Sequence, residues 1–173
     1  TRFVEIWNNV FMQYTKKPDG TFETLEQKNV DTGMGLERML MILQSKENVY
    51  ETEVFSPLIE VIGDNKNKDR MVADHLRAAV ILISDGVEPD NKDRGYVLRR
   101  LIRRAMVKGK EKNLEGSLKD IVQAVVSIYQ DIYHKLTDDQ TRIVGVLEEE
   151  VSRFSKTLKQ GLEQFNKMGG NIS

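Results

Sequence analysis

Asp31-Thr32-Gly33-Met34-Gly35-Leu36-Glu37-Arg38 is the stretch from which the rest of the chain can be read. Two glycines two positions apart follow a polar, alternating segment and precede an apolar, periodic one, so a strand turns here into a helix with its backbone open to a ligand. Arg38 sits one turn into that helix. A backbone that a phosphate can approach, an arginine that can grip it and a carboxylate, Asp31, that can hold an ammonium group lie close together in sequence. Those groups suit a nucleotide and an amino acid. A second reading stays equally open: a loop that glycine merely permits, with Arg38 on its surface, because a lone Gly-x-Gly decides little.

Upstream, Phe3 to Tyr14 reads as a strand, with Phe3, Trp7 and Phe11 on one face and Val4, Ile6, Asn8, Val10, Met12 and Tyr14 on the other. Such a strand is apolar on both sides. Lys17-Pro18-Asp19-Gly20 supplies a turn, after which Thr21 to Leu25 can return antiparallel. Asn8 is an amide on an otherwise apolar face and needs a partner in the protein, a water or a ligand. Thr1 is not an initiator methionine and a strand-like run follows at once, so the chain is expected to be an internal fragment.

Downstream, Leu36, Met39, Leu40 and Leu43 recur at helical spacing, and that helix is expected to end near Gln44. The polar segment from Gly63 to Lys68 suits a linker. Beyond it the periodicity is helical: Asp69 to Ser84, Asp93 to Lys108, Leu118 to Lys135 and Asp138 to Met168, with a loop from the end of the second of these to Ser117. In the last helix Ile143, Leu147, Val151, Phe154, Leu158, Leu162 and Phe165 form one seam, Thr137-Asp138 can cap its start and Gly169-Gly170 can stop it. A seam of this mixed spacing favours packing within the domain over a coiled coil.

The chain of 173 residues is 39% apolar and carries 26 basic against 27 acidic residues, a net charge of -1. No global field favours nucleic acid or a membrane, so any charged partner must meet a local patch. There is no cysteine, which excludes disulfides and thiolate metal sites and fits a cytoplasmic location. No apolar run approaches the roughly 18 residues of a membrane helix, and no membrane partner is expected.

The local patch lies between Arg94 and Lys112, where eight basic residues stand against one acidic one. Arg99 stacks on Arg103, and Arg100 on Arg104, at a spacing of four, while the apolar residues occupy another sector of the helix. The planar fork of arginine donates two parallel bonds to phosphate, which makes nucleic acid a natural ligand. Ion pairs with acidic segments such as Glu148-Glu149-Glu150 are the other explanation. Asn91, on the turn before this stripe, can reach a base edge that arginines on phosphates do not read, although plain turn chemistry also accounts for it.

Two long stretches, Val30 to Arg38 and Arg94-Gly95-Tyr96-Val97-Leu98-Arg99-Arg100-Leu101-Ile102-Arg103-Arg104-Ala105, together with Glu5-Ile6-Trp7-Asn8 and Ala73-Asp74-His75-Leu76-Arg77, closely resemble the alanyl-tRNA synthetases. The resemblance covers nearly the whole chain in order. It implies a predominantly α chain with a short antiparallel β segment at its N-terminus. Residues 1–62 would be the C-terminal part of a class II catalytic domain, including its third motif, and 63–173 an incomplete helical tRNA-recognition domain.

The resemblance further implies that Arg38 is catalytic and holds the ATP phosphates, with Gly35 beside the nucleotide. Asp31 would pair with the alanine ammonium group, Asn8 would touch the same substrate, Val10 would limit the side-chain pocket and Gly33 would leave it room. Asn91 would read the acceptor stem of tRNA(Ala), and Arg94, Arg99, Arg100, Arg103 and Arg104 would bind its phosphates. The partners are then alanine, ATP with Mg2+ as a substrate complex, and tRNA(Ala), not DNA. The implied reaction forms alanyl-adenylate and transfers the alanyl group to the tRNA 3′ end.

No metal ligand is expected in this chain, because no His-x-x-x-His with a later cysteine occurs; zinc would belong to the family's editing domain. His75 and His134 read as a structural and a surface residue. The family's first two motifs are expected upstream of Thr1, so the isolated chain is expected not to catalyse adenylation. The competing reading is a stand-alone helical module that binds the acceptor stem.

Overall fold

Asp19-Gly20 closes a long hairpin in the computed structural model, which describes residues 3–63, 66–109 and 114–168. Gly20 takes a φ of +87°, in the region that favours glycine, while Asp19 Oδ1 accepts from the Thr21 amide at 2.9 Å and its hydroxyl at 2.6 Å. Those two bonds hold the Asp19 carboxyl below its usual range. The turn joins β1 (Trp7–Lys16) to β2 (Phe22–Met34), which pair antiparallel with an irregularity between Met12 and Tyr14.

The second arm is longer than the sequence suggested and runs past Leu25 to Met34. Its polar residues are acceptable because both faces of the ribbon are exposed in this chain. The strand expected from Phe3 starts instead at Trp7, because Trp7 faces Met34, the last residue of β2. The next bond, from the Gly35 amide to the Ile6 carbonyl at 3.1 Å, already belongs to the turn into α1 (Leu36–Leu43). All of β1 is exposed, Trp7 to 56% and Phe11 to 71%, so its apolar faces are not covered here. A turn of 3-10 helix at Val49–Glu51, opened by Asn48 accepting from the Tyr50 amide at 3.1 Å, completes this first unit, Thr1–Thr52.

Glu53–Ser173 form a second unit, so the compact division falls before the expected boundary at 62/63. The reason is α2 (Ser56–Ile62), whose Leu58 and Ile62 are buried in contact with α3 (Lys66–Ser84) and α5 (Leu114–Tyr129). The other helices are α4 (Asp93–Lys108), the short α6 (Lys135–Asp138) and α7 (Gln140–Lys167). The core takes Val72, Leu76, Val80 and Ile83 from α3, Leu98 and Ile102 from α4, Leu118, Ile121 and Val125 from α5, and Ile143, Leu147 and Val151 from α7. This is the broad apolar stripe that helical periodicity requires.

Several boundaries differ from the sequence reading. The expected linker ends early, since α3 is already helical at Lys66. The expected loop to Ser117 ends at Leu114, where α5 begins because Leu114 is buried against Gly109: a Cβ there would lie 1.9 Å from Leu114 Cδ1. That helix stops at Tyr129, short of Lys135. Thr137 and Asp138 lie within α6 instead of capping α7. Asp139 takes the cap position, and its carboxylate bonds Arg142 at 2.8 Å. Only the first half of the α7 seam is buried, with Phe165 42% exposed, and the Gly169-Gly170 stop lies outside the described residues. Among the described residues no helix is long and apolar enough to cross a membrane.

Candidate functional sites

The β1–β2 register puts four of the expected substrate residues on one face. Asn8 is opposite Gly33 and Val10 is opposite Asp31. Directly opposed residues share a face, as do residues two apart along a strand, so Asn8, Val10, Asp31 and Gly33 form a patch. Among the described residues neither the Asn8 amide nor the Asp31 carboxylate has a side-chain partner, and both are exposed. The other face is internally satisfied: Trp7 Nε1 donates to Thr32 Oγ1, and Thr32 Oγ1 donates to Asn9 Oδ1 at 2.7 Å. An amide and a carboxylate with Val10 beside them and no side chain at Gly33 can receive a small zwitterion.

The glycines act differently from the sequence argument. Gly33 lies within the strand, and Gly35, the residue that precedes α1, has a φ of -79°, which any residue adopts. Neither is required by backbone conformation. A Cβ at Gly33 would meet nothing within 4 Å, so what its absence provides is open surface opposite Asn8. At Gly35 a Cβ would touch the Arg38 side chain at 3.4 Å. Arg38 is exposed and donates from Nη1 to the Glu5 carbonyl at 2.8 Å, which ties the guanidinium to the chain entering β1.

In the helical unit, Tyr96, Arg99, Arg100, Arg103, Arg104 and Val107 of α4 and Phe154 of α7 line an open groove of about 380 Å³. The stripe is divided by its partners. Arg103 Nε donates to Glu150 Oε1 at 2.7 Å, and its guanidinium lies 5.2 Å from the centre of the Phe154 ring. Arg99 Nη1 donates to Asn91 Oδ1. Arg94, Arg100 and Arg104 are exposed and have no side-chain partner among the described residues. The ion-pair explanation of the stripe thus holds at Arg103, while Arg94, Arg100 and Arg104 are exposed cations.

Gly95 seats the Asn91 turn. A Cβ on it would lie 2.6 Å from both Asp90 Cβ and the Glu88 carbonyl oxygen, so the turn lies directly on α4. Sequence reasoning quoted Gly95 without this role, and treated Glu150 only as one of three glutamates. The missed signal was its place in the apolar phase of α7, three residues after Leu147 and one before Val151. His75 is largely buried, with Nδ1 3.4 Å from Asp74 Oδ2, and His134 is exposed at the start of α6.

A family model described as tRNA synthetases class II (A) matches residues 1–172. The chain belongs to this class II synthetase family. Among curated proteins it is 44% identical to an alanine–tRNA ligase of Pediococcus pentosaceus over 177 aligned positions, covering 95% of this chain and 20% of that protein. It is 41% identical to the alanine–tRNA ligase of Borreliella afzelii, covering 99% of this chain and 31% of the relative. For that of Dehalococcoides mccartyi the identity is 42%, with 99% and 22% covered. The chain thus spans between a fifth and a third of the length of these relatives. Among the described residues, the hairpin patch and the arginine groove both present exposed polar side chains without a side-chain partner.

Proposed function

We propose that this chain is the portion of an alanine–tRNA ligase that carries the third class II motif and the start of the helical tRNA-recognition domain. The observation that carries the reading is the co-facial set Asn8, Val10, Asp31 and Gly33 on one ribbon. Asp31 pairs with the ammonium group of alanine, Asn8 bonds the same substrate, and Val10 opposite Asp31 limits the side chain to a methyl group. The bare backbone at Gly33 leaves room for it. Arg38 and Gly35 meet the phosphates of ATP, which arrives with Mg2+ as one substrate complex.

The chemistry follows from positioning and charge. The alanine carboxylate attacks the ATP α-phosphate, giving alanyl-adenylate and releasing pyrophosphate, and a 3′-terminal hydroxyl of tRNA(Ala) then takes the alanyl group and releases AMP. No protein nucleophile is required. An arginine that compensates charge developing on the phosphates acts most strongly in the transition state. Outward Arg94, Arg100 and Arg104 bind phosphates of the acceptor stem, with Arg103 at the groove wall and Asn91 at a base edge.

The test is a chimera in which this stretch replaces its counterpart in the Pediococcus pentosaceus enzyme. Alanine-dependent pyrophosphate exchange is expected to survive the exchange and to fall about 10²-fold in Arg38→Ala. An Arg38→Ala chimera as active as its parent would overturn the reading. If the groove binds RNA while the hairpin residues have no effect on exchange, the stand-alone RNA-binding module is the better account.

A further inference from the structure

The Asn91 side chain has one occupied end. Its carbonyl oxygen accepts from Arg99 Nη1, and its own backbone amide donates to Asp90 Oδ1 at 2.6 Å. A guanidinium offers only donors, so the amide atom that faces it is the oxygen and the NH2 group is turned away. Asn91 is exposed while Arg99 is half-buried, so the free end is the accessible one. The turn that carries it has little room to move toward α4, because Asp90 and the Glu88 carbonyl already rest where a Gly95 side chain would be.

We propose that Arg99 is a positioning residue, which holds Asn91 as a hydrogen-bond donor toward an acceptor atom on a nucleobase edge, and is not itself a phosphate ligand. The inference rests on the RNA-interface reading above and assigns a different task to one arginine of its stripe. An unheld amide can rotate and offer either its oxygen or its NH2, so it separates donor from acceptor edges poorly. A held one meets an acceptor with a bond and a base donor with an opposed donor, and that repulsive element supplies discrimination. The arrangement links sequence to specificity through packing. Gly95 seats the turn, Arg99 sets the amide, and the amide selects the edge.

The test measures the affinity of the 173-residue chain for short RNA hairpins whose stem base pairs are exchanged one at a time. Four proteins are compared: wild type, Arg99→Met, Asn91→Ala and the double variant. Arg99→Met is expected to reduce the preference among base pairs about fivefold, the worth of one hydrogen bond. It should leave the dependence of affinity on salt unchanged and add nothing to Asn91→Ala. Arg99→Lys, which keeps a donor and the charge, should retain part of the preference and serves if the methionine variant does not fold. Arg104→Ala should instead weaken all hairpins alike and lower the salt slope by about one.

Additive losses in the double variant, or a uniform loss with a smaller salt slope in Arg99→Met, would show a phosphate ligand and overturn the proposal. A wild-type chain that binds the hairpins without preference overturns it alone. A wild-type chain that binds none of them removes the interface reading as well.

Discussion

Glu150, 1% exposed on α7, accepts from Arg103 Nε of α4 at 2.7 Å, while its second oxygen lies 3.7 Å from Arg153 Nη1. The pair joins the two helices that wall the basic groove. A buried carboxylate left without its main partner is costly, whereas the half-buried arginine can turn to solvent. Arg103→Met is therefore expected to destabilise the chain by about 3 kcal/mol, and Glu150→Gln by less. The double variant should recover stability relative to Arg103→Met alone. Chemical unfolding of the three variants checks this, and strictly additive losses would contradict it.

Gly95 and Gly33 should respond oppositely to alanine. At Gly95 the new Cβ meets backbone and the Asp90 Cβ at 2.6 Å, so Gly95→Ala must push the Glu88–Asn91 turn off the helix. The expected cost is about 2 kcal/mol, in the range for overpacking, together with weaker RNA binding. Thermal unfolding followed by circular dichroism reads the first effect.

Gly33→Ala meets nothing in this chain, and a strand residue with a side chain is favoured over glycine. Its stability should change by less than about 0.5 kcal/mol. In the chimeric ligase the same methyl group would stand where alanine is proposed to sit opposite Asn8, and KM for alanine should rise about tenfold, the effect of roughly 1.4 kcal/mol. An unchanged KM would count against the hairpin face as the amino-acid site.

Acid should act through Asp139. Its hydrogen bond from Arg142 holds the carboxyl below the ordinary value of 3.8, and Arg142 also donates to the Ile83 carbonyl at 2.8 Å, joining α7 to the end of α3. A carboxyl whose pKa is depressed by folding contributes stability that is present above its unfolded value and is lost as the pH falls through its folded value. The stability difference between wild type and Asp139→Asn should thus be constant from pH 7 to about pH 5 and shrink as the pH falls below the ordinary carboxylate value and on through the lower folded one. Unfolding titrations of both proteins across that interval measure it.

The isolated chain should give no alanine-dependent pyrophosphate exchange above background. The hairpin patch is exposed on both faces here, and fixed geometry around the reacting phosphate is what such chemistry needs. Exchange by the 173 residues alone would overturn this expectation.

Much of the molecule is legible without coordinates. Helical periodicity located α1, α3, α4 and α7, though not all their ends, because an apolar face must be buried somewhere, and the residues that carry it recur at the period of the helix. The Pro18-Asp19-Gly20 turn declared the hairpin, since its backbone angles are specific to those residue types. The ends of the elements were less legible. Leu114 starts α5 because it covers Gly109, and Trp7 starts β1 because Met34 ends β2; both reasons lie in contacts remote from the residue concerned.

The candidate sites divide in the same way. From sequence, Asn8, Asp31 and Arg38 and the run of arginines follow from residue type and resemblance, for which local chemistry suffices. Tertiary structure decided that Asn8, Val10, Asp31 and Gly33 share one face, because register is a property of two paired strands. It likewise decided that Arg103 belongs to Glu150 and Arg99 to Asn91. Four neighbouring arginines are nearly equivalent as a sequence, and what distinguishes them is the partner that packing brings within hydrogen-bond reach of each.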